Sequence, residues 1–444
     1  MSAWERPGTL MALAAVLAAA VAAAAWVAWA ATQADRQHDR RAPAALDAAA
    51  AQALRERGAY LVRVGHCAGC HSAPGGVPLA GPGAVETPFG TAWAGNLTPE
   101  PRTGLGQWSA DDFWQALHHG RGRDGRFLLP AFPYRYFSRV TRDDADAMFA
   151  YLRSLPPQVS RAPPHALRWP MGSAPALAVW RALGFRPRVL QPDAARSAEW
   201  NRGAYLVEAL GHCGACHEAR NRLGLAVDDD RPQGGGGARM PGSGWLAPSL
   251  RDADGASVAT WPTQAVADWL AAGVGAEGSA LGPMAKVVAG STQYWTPEDR
   301  TAAAAYLRSL PGAPGPGAVP PAVPPAPPRA TVPTAPGPVL DRGRGLYERH
   351  CADCHGAQGE GRAPGWPPLA GRRVVTMADP GNLLRIIVEG GFTPATARVP
   401  QPFGMPPFGH VLDDAEIAAL ASWLRQAFGH AAAEVGVPQV QAAR

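Results

Sequence analysis

All six cysteines fall into three copies of one spacing: Cys67-Ala-Gly-Cys70-His71, Cys213-Gly-Ala-Cys216-His217 and Cys351-Ala-Asp-Cys354-His355. The chain holds 12 histidines, and chance places one after all three second cysteines with a probability of roughly 2 in 100,000. Cysteines at i and i+3 lie on one side of a helical turn, so both thiols can add across the two vinyl groups of one porphyrin edge. The histidine that follows swings beneath the ring and offers its imidazole to iron. A Cys-x-x-Cys pair also occurs as half of a zinc site or as a redox dithiol. Zinc needs two further ligands for each pair, and a redox dithiol does not call for a following histidine. The motifs therefore predict three covalent haems, held by Cys67 and Cys70, Cys213 and Cys216, and Cys351 and Cys354. His71, His217 and His355 are the proximal iron ligands.

At 444 residues the chain is too long for one core. The sequence around each motif repeats. Arg57-Gly-Ala-Tyr60-Leu-Val precedes the first, Arg202-Gly-Ala-Tyr205-Leu-Val the second and Arg344-Gly-Leu-Tyr347 the third. Each repeat closes on a helix that begins with acidic residues, as the helix dipole favours: Thr141-Arg-Asp-Asp, Thr296-Pro-Glu-Asp and Leu412-Asp-Asp-Ala-Glu. The fold class expected is all-α, with three tandem units at 50–165, 195–311 and 340–430, the first and last helices of each packing over a haem. With 51 Gly and 46 Pro, units this small need the porphyrin as part of their core. Residues 312–339 form a Pro/Ala/Gly tract that reads as a semi-rigid linker, and the Gly234–Gly237 run as a surface loop. The net charge of +5 comes without a Lys/Arg block, so no nucleic-acid partner is expected.

Residues 1–34 form a separate segment. Thr9 to Ala31 carries no charge and, at about 1.5 Å per residue, is long enough to cross a bilayer core. Ala28-Trp29-Ala30 suits signal cleavage, but the length of the run and Trp26 and Trp29 favour a retained apolar anchor helix. Arg6 precedes the segment while Arg36, Arg40 and Arg41 follow it. Taken alone, that asymmetry would put the body of the chain in the cytoplasm.

Sixth ligands are sought by register. In each repeat a helix ends at glycine (Gly120, Gly273, Gly390), and a short Pro-containing loop follows. The second repeat offers Met284 there and the third Met405, whose thioethers suit the distal face of iron and raise its potential. Met240 and Met377 sit out of register. The first repeat has Phe132 in this place, and Phe cannot ligate. His118, His119 and the distant Met171 remain as alternatives to an open iron face.

Gly95-Asn-Leu-Thr-Pro-Glu, Trp108-Ser109, Tyr151-Leu-Arg-Ser-Leu-Pro156 and the Arg-Gly-Ala-Tyr-Leu-Val strings, taken together with the haem motifs, resemble the triple-haem cytochrome c subunits of membrane-bound bacterial dehydrogenases. The resemblance covers about residues 50 to 430. It implies three cytochrome c domains on the periplasmic side of the inner membrane, against the charge asymmetry noted above. It also implies electron transfer from a dehydrogenase catalytic subunit to ubiquinone or a terminal oxidase, with no substrate chemistry on this chain. Pro-Ala-Phe132-Pro-Tyr, with Gln191-Pro-Asp and Ser197-Ala-Glu-Trp200, is similar to the branch serving molybdenum hydroxylases such as nicotinate or isoquinoline dehydrogenase. The partner then has a molybdopterin subunit and an iron–sulfur subunit. Quinoprotein alcohol and flavin sugar dehydrogenases are the sister alternatives, and a haem peroxidase is the enzyme-class alternative.

Overall fold

The computed structural model describes residues 11–12, 15–16, 19, 41, 45–226, 237–252, 255–310, 337–362 and 365–444. The tract at 312–339, apart from its last three residues, and most of the 1–34 segment lie outside them, as does all but the last glycine of the Gly234–Gly237 run. Among the described residues no helix is long and apolar enough to cross a membrane.

The first repeat contains α1 (Ala48–Val64), α2 (Ala110–His119) and α3 (Arg142–Arg153), and α4 (Ala174–Gly184) follows it. The second contains α5 (Ala198–Tyr205), α6 (Thr263–Ala272), α7 (Gly282–Gly290) and α8 (Pro297–Arg308). The third contains α9 (Pro338–His350), α10 (Gly381–Glu389), α11 (Asp414–Gln426) and α12 (Val437–Gln441). The closing helices start as their sequences dictate. Thr141, Thr296 and Asp413 each accept from the backbone N–H three residues on, satisfying an otherwise orphaned donor.

The structure is mostly helical rather than all-α. Gly83–Thr87 (β1) and Gly90–Ala94 (β2) form a hairpin closed by Pro88-Phe89, and Ala166–Leu167 (β3) pairs onto its outer edge. The short alternating run Val85-Glu-Thr carries too few residues to announce a strand against its Gly- and Pro-rich surroundings.

One joint occurs three times. First and last helices cross where a glycine lets backbone meet backbone: a Cβ on Gly58 would lie 1.9 Å from the Ala147 carbonyl oxygen, one on Gly203 2.0 Å from that of Ala302, and one on Gly343 2.2 Å from that of Ala419. This joint corrects the third repeat's register. The equivalent of Arg57-Gly58 is Arg342-Gly343, not Arg344-Gly345, and Arg342 bonds Glu416 as Arg57 bonds Asp144. The tyrosine position of the first two repeats then falls on Gly345.

The second repeat has one residue more between its joint glycine and its first motif cysteine than the first repeat. The chain absorbs it as a π-helical turn at Leu206–Leu210, so both ends keep their places. That turn aims Glu208 inward, where Arg139 of the first repeat (3.1 Å) and Tyr306 bond it.

Leu61, Val64, Phe113 and Met148 of the first repeat share a single core with Leu206, Leu210, Val266 and Trp295 of the second. The third has its own core around Leu346, Leu384, Ile417 and Leu420. That core runs on past residue 430 to Val435, Val440 and Ala443.

Candidate haem sites

Each motif occupies a helical turn: Cys67–Cys70, Gly214–His217 and Ala352–His355. All six thiols are free, and burial pushes Cys67, Cys213 and Cys351 up to about 12. A zinc site needs more ligands than one Cys-x-x-Cys pair supplies, and no group of three or more His, Cys, Asp or Glu among the described residues could hold a metal ion.

The three histidines are held alike. Nδ1 of His71 lies 2.7 Å from the Gly95 carbonyl oxygen, that of His217 2.6 Å from Pro248's and that of His355 2.8 Å from Pro367's. A carbonyl only accepts, so Nδ1 carries the hydrogen and Nε2 keeps its lone pair for iron. Burial lowers the basicity of all three rings, partly opposed by these bonds, which favours the neutral, ligating form.

The carbonyls are functional groups that sequence reasoning missed. Each stands two residues before a leucine packed on the core: Gly95-Asn-Leu97, Pro248-Ser-Leu250 and Pro367-Pro-Leu369. That leucine was the available signal.

The glycine-ended helices are where the sequence places them, and the chain folds back onto those glycines. A Cβ on Gly120 would meet the Tyr134 ring, and one on Gly390 the Met405 carbonyl oxygen at 2.3 Å. Met405 is half-buried on a two-residue strand, paired with Gly391. Met284 is also half-buried, but it lies in the first turn of α7 rather than in a loop. Met377 is buried, and its carbonyl accepts from Arg425.

Phe132 stacks on Phe137 with centroids 5.4 Å apart. Phe137 borders the first motif: a Cβ on Gly65 would lie 3.6 Å from its ring and 3.5 Å from Cys67 Sγ. His118 stacks on Trp114 at 4.4 Å, with Nδ1 2.7 Å from the Ser138 carbonyl oxygen, and His119 is buried edge-on beside it.

The first two motif turns adjoin: burial, and then the nearby Cys216, raise the Cys70 thiol. His66 and His212, each just before a motif, take left-handed backbone (φ 52° and 39°). The His66 ring fills the space that a Cβ at Gly69 or Gly290 would need. Burial pushes His212 down to about 4. Beside His217, burial raises the Glu218 carboxyl to about 7, and it accepts from Tyr136 of the first repeat at 2.5 Å.

The donor set fits haem c. Besides thiols and oriented imidazoles, the second repeat buries Arg251 Nε and Arg308 Nε with no partner among the described residues, donors of the kind that porphyrin carboxylates satisfy.

The profile of the cytochrome c family matches residues 340–428. The chain is 35% identical to the cytochrome c subunit of a quinone alcohol dehydrogenase from Gluconobacter oxydans, over 85% of this chain and 79% of that one. The chain belongs to the cytochrome c subunits of bacterial dehydrogenases. Similar to it as well are the gluconate 2-dehydrogenase cytochrome c subunit of Pantoea cypripedii, at 34% identity over 87% and 88% of the two chains, and one subunit of the nicotinate dehydrogenase of Pseudomonas putida, at 37% over 85% of this chain. The match spans only 30% of that last relative's length. As a cytochrome c subunit the chain carries covalent haem c and transfers electrons rather than transforming a substrate.

Proposed function

We propose that this subunit is a three-haem wire of three tandem cytochrome c domains, taking electrons from a periplasmic dehydrogenase and passing them to ubiquinone or a terminal oxidase. The observation that carries the number is the threefold recurrence of one detail, a motif histidine whose Nδ1 is fixed on a backbone carbonyl. When bound, haem would supply the chemistry, a one-electron change between ferrous and ferric iron. The chain would hold each ring by two thioethers, and it orients each imidazole on a backbone carbonyl. Met284 and Met405 serve as sulfur ligands that raise two of the potentials, and Phe132 covers an iron face without a sulfur ligand. The partner is a molybdenum hydroxylase with a molybdopterin subunit and an iron–sulfur subunit, the branch that Pro-Ala-Phe132-Pro-Tyr resembles. The first 34 residues anchor the subunit to the inner membrane.

Intact mass after acid–acetone extraction tests the number and should exceed the polypeptide mass by three haems; one haem, or bound zinc, defeats the reading. Met284→Ala and Met405→Ala should each remove one methionine–iron band and lower one midpoint potential. Capture from solubilised membranes should recover molybdopterin and iron–sulfur subunits. Recovery of a quinoprotein or flavoprotein instead moves the chain to a sister branch.

A further inference from the structure

Helix α4 turns the wrong side to water. It is well docked inward: Ser173 caps it, Leu177 is buried, Trp180 Nε1 donates to the Leu223 carbonyl at 2.9 Å, and the Arg181 guanidinium lies over the rings of Phe127 (4.6 Å) and Phe185 (4.7 Å). Its outer stripe is Pro175, Val179, Ala182 and Leu183, all exposed and all apolar. Val179 is 60% exposed, Leu183 62%, and Trp169, shortly before the helix, 90%. Single exposed apolar residues need no explanation. A helix whose polar contacts all point inward, and whose water-facing stripe has no polar side chain, reverses the usual pattern of a surface helix.

The sequence flanking it is basic. No acidic residue occurs between Asp146 and Asp193, a stretch that includes Arg161, Arg168, Arg186 and Arg188, all exposed. Arg168 and Arg186 donate to backbone carbonyls of Pro88, Ala182 and Phe185, and among the described residues neither pairs with a carboxylate.

We propose that α4 and Trp169 form an interfacial docking surface for an anionic lipid bilayer. The apolar stripe enters the headgroup boundary, Trp169 sits at its edge and the four arginines meet lipid phosphates. The stripe itself carries no polar group, and the arginines that flank it in sequence match the phosphates of a headgroup layer. This contact is separate from the N-terminal segment, and it holds the haem-bearing body against the membrane rather than tethered above it.

Hydroxyl-radical footprinting of the full-length holoprotein, read by mass spectrometry, tests this without engineered labels. Vesicles of about one-third phosphatidylglycerol in phosphatidylcholine should cut oxidation of Trp169 several-fold and leave Trp366, exposed on the third repeat, unchanged. Vesicles of phosphatidylcholine alone should protect less. The double variant Val179→Asp/Leu183→Asp changes only exposed positions, and it should lose the protection of Trp169 while keeping its melting curve. Equal oxidation with and without vesicles overturns the proposal. So does equal protection of both tryptophans, or protection that survives in the double variant. Protection of Trp169 by the detergent-solubilised dehydrogenase without lipid would assign the surface to a protein instead.

Discussion

The first and second repeats are joined by residues that each lends to the other, whereas the second and third meet across surface charges. Asp144 accepts from Arg57 of its own repeat (2.8 Å) and from Tyr205 of the next (2.6 Å). Asp299 accepts from Arg202 of its own repeat (2.7 Å) and from Tyr60 of the previous one (2.5 Å). Both tyrosine hydroxyls then accept from the backbone N–H of the partner's threonine cap, Thr296 and Thr141, at 3.1 Å. The exchange is reciprocal, as across a two-fold axis. At the other junction Asn382 bonds the Leu246 backbone twice, and Arg372–Glu277, Arg239–Asp379 and Arg398–Asp268 are partly exposed pairs, a class worth little each. The first two repeats thus share one core and exchange tyrosine hydroxyls, whereas the third has Gly345 at the tyrosine position and a core of its own. Calorimetry should resolve two transitions, one for the fused pair and one for the third repeat.

The largest expected effect comes from the joint glycines. Gly203→Ala puts a methyl into the Ala302 carbonyl and should cost more than about 3 kcal/mol in the fused pair's transition. Gly343→Ala should do the same to the third transition alone. Gly345→Ala should raise it by about 0.5–1 kcal/mol, because that site is open and Ala favours helix. If the two third-repeat variants behave the other way round, the register drawn from the joint is wrong.

Acid should next separate the two units. Burial holds His212 at about 4 against about 6.5 unfolded. Above pH 6.5 both states are neutral and the fold keeps its full stability. As pH falls from 6.5 towards 4, the unfolded chain binds a proton that the folded one refuses. From this group alone the fused pair should then lose about 1.4 kcal/mol per pH unit, with no further loss below 4. The raised Glu218 carboxyl, which takes up its proton first in the folded state, works in the opposite direction between about 7 and its unfolded value. The slope is therefore read as the difference between the parent and a His212 variant. His212→Gln should flatten that slope in melts recorded across the window.

Asp299→Ala follows. It strands the Arg202 guanidinium and the Tyr60 hydroxyl together, and should lower the fused pair's stability by about 2–3 kcal/mol, discounted because Arg202 is partly exposed. Glu416→Ala, which removes the corresponding acid from the third repeat, should shift that transition far less.

What the sequence made legible is local. The motif turns, the threonine caps and the helices ending at Gly120, Gly273 and Gly390 each depend on a few adjacent side chains, and each stands where the letters place it. The rest depends on contacts distant in sequence or on backbone atoms. Arg344-Gly-Leu-Tyr347 imitates the repeat string, but the helix crossing selects the glycine that faces Ala419, and no pattern of letters names that partner. The carbonyls of Gly95, Pro248 and Pro367 hold the motif histidines through atoms that every residue owns. A π turn leaves only one surplus residue as its trace. Helix α4 lies between the expected units, in a stretch whose apolar side gains meaning only once it is seen to face outward.

The finest test uses the same change in all three repeats. Tyr60→Phe removes a hydroxyl that donates to Asp299 and accepts from Thr296, and Tyr205→Phe removes its mirror image at Asp144 and Thr141. Each leaves the ring in place and should cost about 1–1.5 kcal/mol, read wholly in the fused pair's transition. Tyr347→Phe is the matched control, because its hydroxyl donates to the Gly356 carbonyl within the third repeat and should move only the third transition. With both exchanged hydroxyls gone the fused pair still shares Leu61, Leu206 and Trp295, so it should weaken without dividing. A fused transition that splits in two in the double variant would show that the hydroxyls, not the shared core, make the pair one unit. A Tyr60→Phe variant that leaves the fused transition where it was would show that the exchange contributes nothing, and the contrast with Gly345 would lose its cause.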